Sequence, residues 1–270
     1  MTFALIGKPL GHSLSPLIHE KISEVTGHNC DYMLRPLEPH EVRPFIRGFS
    51  LSGIDGINVT IPYKTVAADA VDACSPEAKA IGAVNTISVG RDGLTGHNTD
   101  YHGFLAMLAA AGIDPRGKQC VLLGSGGSAR AVAAALMDSG ASELLIASRD
   151  AAQAAQRFPG LGAIDYAALG STGGYLLINC TPVGMYPLVD VCPVEQAVVG
   201  CFEAVADLIY NPRQTQLLQA AQAAGCAVAD GLHMLVAQAV KAREIWHGVG
   251  LGADVEQKVI AALGEAGVAQ

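Results

Sequence analysis

Lys64 is the residue around which reactive chemistry can be built. It ends the stretch Gly56-Ile57-Asn58-Val59-Thr60-Ile61-Pro62-Tyr63-Lys64. The β-branched, mostly apolar run from Ile54 to Thr60 predicts a buried strand, and Pro62 cannot continue it. In open α/β sheets, ligands gather beyond the carboxyl ends of the strands. An ammonium delivered there can stabilise a developing oxyanion and exchange a proton. On residue type alone, a solvated lysine at the start of a helix is the reading to prefer until other residues join it. Asn85, in Gly82-Ala83-Val84-Asn85-Thr86, and Asp100, in Gly96-His97-Asn98-Thr99-Asp100, stand at the ends of further strand-like runs. Asn85 is either a turn residue or an amide ligand, and Asp100 is either the N-cap of the next helix or a carboxylate partner. If the three ends converge, they form a lysine–aspartate–amide cluster suited to gripping a polyhydroxylated ligand and moving a proton. Ser13 and Ser15 lie beyond the first strand-like run, Phe3 to Ile6. Ser15-Pro16 fits an N-cap with proline at the first helical position. That leaves Ser13 without a structural task, as either a loop residue or a donor to a carboxylate or hydroxyl in a cleft.

A second kind of chemistry begins at Gln119. Gln119 to Leu123 predicts a buried strand, and Gly124-Ser125-Gly126-Gly127-Ser128-Ala129-Arg130 opens an apolar helix. This is G-x-G-x-x-A in the context of strand, tight turn and helix, where glycines let the backbone approach a pyrophosphate and the helix N-terminus supplies amides. The next strand, Glu143 to Ala147, ends in Ser148-Arg149-Asp150 rather than in a lone acid. Serine and arginine suit a ribose 2′-phosphate and point to NADP, while Asp150 either caps the following helix or opposes that phosphate.

These residues need elements to hold them. Before Asp100 the pattern is mixed: strands near Cys30–Arg35 and Ile54–Thr60, helices near Glu41–Gly48 and Thr65–Ala73, and a hairpin turning at Gly90-Arg91-Asp92-Gly93. A helix is expected from Tyr101 to about Ala111. Beyond it strands and helices alternate, with strands at Tyr175–Asn179, Ala204–Leu208 and Cys226–Ala229 and a helix at Gln214–Ala224. A long helix then runs from Asp230 to about Gly248 and a last one from about Ala253 to Gly264. The fold class is therefore α/β, a mixed-sheet unit followed by a doubly wound one, with the last two helices crossing back onto the first.

Composition narrows the partners. The chain has 270 residues, a formal charge of −8 and 16% charged residues. Its basic residues are not clustered, which argues against nucleic acid or an anionic membrane as partner. Seven cysteines lack any C-x-x-C pair, as expected of free thiols in a reducing compartment. With no basic leader and no apolar run of ~20 residues, a cytoplasmic location is expected. The histidines show no metal-ligand spacing such as H-E-x-x-H, so no metal is expected.

Seven segments in order carry a resemblance: Gly7-Lys8-Pro9-Leu10-Gly11-His12-Ser13-Leu14-Ser15-Pro16, Asn58 to Lys64, Gly82 to Thr86, Asn98-Thr99-Asp100, the glycine loop, Asn179-Cys180-Thr181-Pro182-Val183-Gly184-Met185, and Gly231 to Gln238. Along nearly its whole length the chain resembles the shikimate dehydrogenase family. The resemblance implies an N-terminal mixed-sheet α/β substrate domain, residues 1–100 plus 235–270, and a C-terminal Rossmann-like doubly wound NADP-binding domain, residues 101–234. It implies reversible reduction of 3-dehydroshikimate to shikimate with NADPH, on the way to chorismate and aromatic amino acids, in a monomer or homodimer. Lys64 is then the acid/base residue with Asp100 paired to it. Ser13 and Ser15 hold the substrate carboxylate, and Thr60, Lys64, Asn85, Asp100, Tyr210 and Gln238 surround the ring. Gly124, Ser125, Gly126, Gly127, Ser128, Ala129, Ser148, Arg149, Thr181, Leu208, Gly231 and Met234 serve the cofactor. Two departures stand out: Ser148-Arg149-Asp150 where the family commonly has Asn-Arg-Thr, and His233 where it usually has a small residue. The first keeps NAD open as a secondary or preferred cofactor of a quinate/shikimate enzyme. A catalytically silent nucleotide or metabolite sensor is the reading from another class, against which the intact Lys64 and Asp100 argue.

Overall fold

Strand order explains why distant segments share a site. In the computed structural model, which describes residues 1–11, 13–252 and 254–267, the chain divides into two compact units: residues 1–102 with 236–266, and residues 103–235. The first unit holds strands β1 (Thr2–Gly7), β2 (Asp31–Pro36), β3 (Gly56–Val59), β4 (Ala73–Cys74), β5 (Thr86–Gly90) and β6 (Gly93–His97), in the sheet order β2-β1-β3-β5-β6-β4. β1 pairs in parallel with β2 and β3, whereas β3–β5 and β5–β6 are antiparallel. The sheet is thus mixed, and β3 lies where parallel pairing gives way to antiparallel. Register sets Asn58 beside Thr86, and Thr86 beside His97. Helices α1 (Ser15–Thr26), α2 (Pro39–Gly48), α3 (Lys64–Ala68), α4 (Pro76–Ile81) and the start of α5 (Thr99–Ala110) connect these strands.

Several boundaries differ from the sequence expectation for identifiable reasons. The central strand is Gly56–Val59, shorter than Ile54–Thr60, because the Thr60 carbonyl already closes a turn onto the Tyr63 amide. The helix after it begins at Lys64 itself and stops at Ala68, not at Ala73. Asp72 stops it: its backbone pairs with Leu94, its carboxylate accepts the Leu94 amide at 2.8 Å, and Ala73–Cys74 becomes a strand against β6. Sheet pairing there outweighs local helix propensity. Nor does Ser15 cap α1. The N-cap is Leu14 without a side-chain bond, and the Ser13 hydroxyl accepts the Ser15 amide at 3.3 Å. The structural task expected of Ser15 thus falls to Ser13.

The second unit is a single parallel sheet of β7 (Gln119–Leu123), β8 (Glu143–Ala147), β9 (Gly162–Ile164), β10 (Gly174–Asn179), β11 (Phe202–Asp207) and β12 (Ala227–Asp230), ordered β12-β11-β10-β7-β8-β9. The order reverses between β7 and β10, the switch point where ligands of doubly wound sheets bind. Helices α6 (Gly127–Asp138), α7 (Ala151–Arg157), α8 (Leu169–Thr172), α9 (Gln196–Val199) and α10 (Gln216–Ala223) link the strands. Ala129, Ala131, Val132, Ala133, Ala135 and Leu136 of α6 are buried.

The chain then follows α11 (Gly231–His247) and α12 (Val255–Glu265). The expected start of the last helix at Ala253 lies outside the described residues. From Val236 onward these helices belong to the first unit, where Trp246 covers the sheet. Its ring stacks on Phe3 with centroids 4.1 Å apart, and its indole N–H donates to the Ile87 carbonyl at 3.0 Å. A Cβ on Gly56 would lie 2.4 Å from the indole Nε1, so only glycine admits this approach. Replacing Trp246 by alanine is expected to cost about 3–5 kcal/mol, read as a lower urea midpoint. Among the described residues, no helix is long and apolar enough to cross a membrane.

Candidate active site

The first unit assembles its polar residues at the carboxyl end of β3. Tyr63 precedes Lys64 and is buried, which anchors the lysine at the first position of α3. The Lys64 ammonium lies 2.5 Å from Asp100 Oδ2, with both side chains less than one-fifth exposed. Asn85 donates from Nδ2 to Asp100 Oδ1 at 2.9 Å. Both carboxylate oxygens are therefore engaged by donors. Asp100 lies inside α5 rather than at its cap, and Asn98 Oδ1 instead meets the Tyr101 amide at 3.4 Å. Asn85 does not close a turn: its Oδ1 accepts the Thr99 amide at 2.7 Å, locking strand β5 to the start of α5. Thr99 Oγ1 reaches Gln238 Oε1 at 3.3 Å, which ties α11 to the same cluster. Ser13 and Ser15 share a hydroxyl–hydroxyl bond of 3.2 Å. Thr60 is half-buried directly after β3.

This arrangement suits proton exchange with an oxygen in a partly dry site. A lysine ammonium donates up to three hydrogen bonds. Asp100 uses one, and the side chain keeps some exposure through which a ligand oxygen can approach. Sequence reasoning passed over Asn58, Thr86 and Tyr32, which buttress the cluster from behind. The available signal was Asn58, an amide set between Ile57 and Val59 in an otherwise apolar strand.

In the second unit the glycine loop has features a dinucleotide pyrophosphate requires. Gly124 has φ +94°, and a Cβ there would come within 2.7 Å of Thr181 Cγ2, so glycine alone lets the turns after β7 and β10 meet. Gly126 caps α6 without a side-chain bond, and added Cβ atoms at Gly126 and Gly127 would meet nothing within 4 Å. The first amides of a twelve-residue helix therefore face open space, a ready anion site. Ser128 and Ala129 continue that first turn, with Ala129 buried. Arg149 is exposed at the end of β8. Asp150 resolves to a cap: its Oδ1 accepts the Gln153 amide at 2.8 Å, and its own amide donates to the Ser148 hydroxyl at 3.2 Å. A residue not foreseen, Arg157, brings a second cation to the loop by donating to the Ser125 carbonyl at 3.3 Å.

Behind the loop, Asn179 Oδ1 accepts the Thr181 amide at 3.0 Å and the Thr181 hydroxyl at 2.7 Å, and its Nδ2 donates to Asp207 at 3.0 Å. Asp207 also accepts from the Ile209 amide at 3.0 Å and the Thr215 hydroxyl at 2.7 Å. Leu208 follows it, and the Gly231 amide donates to the Ile209 carbonyl at 3.2 Å. Met234 is buried one turn into α11, His233 is half-buried beside it, and burial pushes the Tyr210 phenol up. Burial likewise raises Asp207 to about 6, against the opposing pull of its Thr215, Ile209 and Asn179 donors. A carboxyl that holds its proton more tightly when folded contributes stability below its unfolded value near 3.8 and loses it as pH rises through about 6. Urea denaturation of Asp207→Asn across pH 4–7 is therefore expected to lack that part of the wild-type slope. An unchanged slope would deny Asp207 the titration.

Known proteins are similar to this chain in sequence and architecture. A family model described as the shikimate dehydrogenase substrate binding domain matches residues 5–87. A shikimate dehydrogenase (NADP(+)) of Clostridium perfringens is 40% identical over 262 residues, covering 95% of this chain and 96% of its own. Among solved structures, a chorismate mutase/shikimate 5-dehydrogenase fusion protein from Clostridium acetobutylicum superposes with a TM-score of 0.95 at 37% identity, over 98% of this chain and 97% of that one. A shikimate 5-dehydrogenase from Thermus thermophilus, solved with NADP(H) and shikimate, gives a TM-score of 0.85 at 34% identity over 97% and 100% of the two chains.

Proposed function

The chain belongs to the shikimate dehydrogenase family, and from that premise we propose that it interconverts 3-dehydroshikimate and shikimate with NADP, Lys64 and Asp100 forming the reacting pair. The observation that carries the residue assignment is the 2.5 Å contact between Lys64 Nζ and Asp100 Oδ2, with Asn85 on the other carboxylate oxygen. NADPH, when bound, supplies the hydride that reduces the ketone carbon. Lys64 offers its ammonium to the ketone oxygen as negative charge grows there and passes it a proton from Nζ. In the oxidative direction Lys64 takes the proton back from the hydroxyl. Asp100 holds the lysine in place and accepts from a neighbouring ring hydroxyl. Ser13 and Ser15 donate to the substrate carboxylate, and Thr60, Asn85 and Gln238 bind ring oxygens. Tyr210 supplies the remaining hydroxyl assigned to the substrate.

On the cofactor side, the open first turn of α6 would hold the pyrophosphate, with Gly124 to Ala129 as its cradle. Ser148 and Arg149 would hold the 2′-phosphate. Thr181, Leu208, Gly231 and Met234 line the turns assigned to the rest of the dinucleotide. The use of Asp150 as a helix cap leaves Ser148 and Arg149 for the 2′-phosphate, which supports NADP. All seven cysteines are free, which supports a reducing, cytoplasmic setting, and we propose a monomer or homodimer.

Rates of reduced-cofactor oxidation with 3-dehydroshikimate, and of shikimate and quinate oxidation, each with both cofactors, test this reading. Higher kcat/KM with NADP than with NAD, and with shikimate than with quinate, is expected. Ligand binding without turnover would instead indicate a sensor.

A further inference from the structure

The polar residues behind Asn85 form a chain with a single direction. The Tyr32 hydroxyl donates to Asn58 Oδ1 at 2.7 Å. Asn58 Nδ2 donates to the Thr86 hydroxyl at 3.0 Å and to the Asn85 carbonyl at 3.2 Å. Thr86 Oγ1 lies 3.1 Å from Asn85 Oδ1, and Asn85 Nδ2 faces Asp100. We infer that Tyr32, Asn58 and Thr86 are positioning residues, a hydrogen-bond relay that feeds into Asn85 Oδ1 and strengthens the bond its amide makes to Asp100. The inference rests on the proposed reading of Lys64 and Asp100 as the reacting pair.

Backbone groups of fixed polarity set the direction. The Asn85 carbonyl can only accept, so the amide nitrogen of Asn58 must face it and Oδ1 must turn to Tyr32. The Thr99 amide can only donate, so Asn85 Oδ1 must face it at 2.7 Å and Nδ2 must turn to Asp100. Thr86, receiving from Asn58, has its one proton left to send forward, either to Asn85 Oδ1 directly or to Thr99 Oγ1 at 3.2 Å, whose own hydroxyl reaches the same Oδ1 at 3.2 Å. Asn58, Asn85 and Thr86 are 6%, 3% and 0% exposed, so water has little access to replace a missing member. Burial holds the Tyr32 hydroxyl well above its usual range, against a weaker effect of Ser15, and it remains a donor. Its ring is fixed by stacking on His19, with centroids 4.0 Å apart. In such a chain each donor polarises the next, so the last bond, to Asp100, is strengthened by those before it.

Tyr32→Phe keeps the ring and deletes the first donor, and Thr86→Val keeps the shape and cuts the chain in its middle. Each is expected to lower kcat by about 3- to 10-fold, the worth of one neutral hydrogen bond, with KM for NADP within about twofold. The decisive readout is the side-chain amide proton resonance of Asn85, which is expected to move upfield in both variants as its bond to Asp100 weakens. An unmoved resonance in the folded variants overturns the relay, whatever the rate does. Should Tyr32→Phe not fold, Thr86→Val carries the same readout. Retained turnover in Lys64→Ala would remove the reacting-pair reading alone, because the resonance reports on the relay without reference to activity.

Discussion

Replacing Lys64 by alanine is expected to lower turnover by about 10²–10⁴-fold, the span contributed by a positioned acid or base, equivalent to roughly 3–5 kcal/mol. Two losses combine. The proton source for the ketone oxygen disappears, and so does the ammonium that stabilises charge on that oxygen as hydride arrives. Binding of NADP is expected to change little, because the residues assigned to it are Gly124 to Ala129 and the turns beside them. The fold should persist, since Asn85 still donates to Asp100 and the helix is anchored by buried Tyr63 and Ala67. Fluorescence titration of NADPH alongside turnover separates the two effects. Wild-type turnover in a folded variant would remove Lys64 from the mechanism.

Asp100→Asn is expected to cost about 10²-fold in turnover, by removing the charge from two hydrogen bonds worth about 1.5–3 kcal/mol each. The change preserves side-chain volume but not the electrostatics. Lys64 loses its anionic partner at 2.5 Å, and the Asn85 amide meets a neutral acceptor in place of a carboxylate. Because the two residues act as a unit, the double variant with Lys64→Ala should turn over within a few-fold of Lys64→Ala alone. Fully additive losses in that cycle would show that Asp100 serves the substrate independently of Lys64.

Local signals made much of the molecule legible. The β-branched run before Pro62, the hairpin turn at Gly90 to Gly93 and the glycine loop each depend on neighbours in sequence, and each formed, the first as a shorter strand than expected. Lys64, Asn85 and Asp100 stood out because each chemistry-bearing side chain followed a strand-like run, and strand ends converge in a sheet. Roles that depend on partners far along the chain were harder to read. Ser15 looks like a cap until the Ser13 hydroxyl takes the local backbone bond, and Asp100 looks like a cap until Lys64 and Asn85 reach it. For Asp150 the outcome was the reverse, since the helix amide of Gln153 claims a carboxylate that could have faced a ribose. Arg157 escaped notice because its link to the glycine loop spans 32 residues.

What the chain determined by itself, then, was which residues could react and roughly which element would deliver each, because propensity, turn chemistry and hydrophobic period act over a few residues. Tertiary structure alone decided which of those residues meet. The antiparallel register of β3 and β5 sets Asn58 beside Thr86, and Thr86 in turn lies against Asn85. The Thr99 amide, bonded to Asn85, seats the start of α5 at those strand ends and brings Asp100 to Lys64 across 36 residues of chain. A carboxylate's role follows from the donors that reach it, and those donors are fixed by sheet order and register rather than by neighbours in sequence.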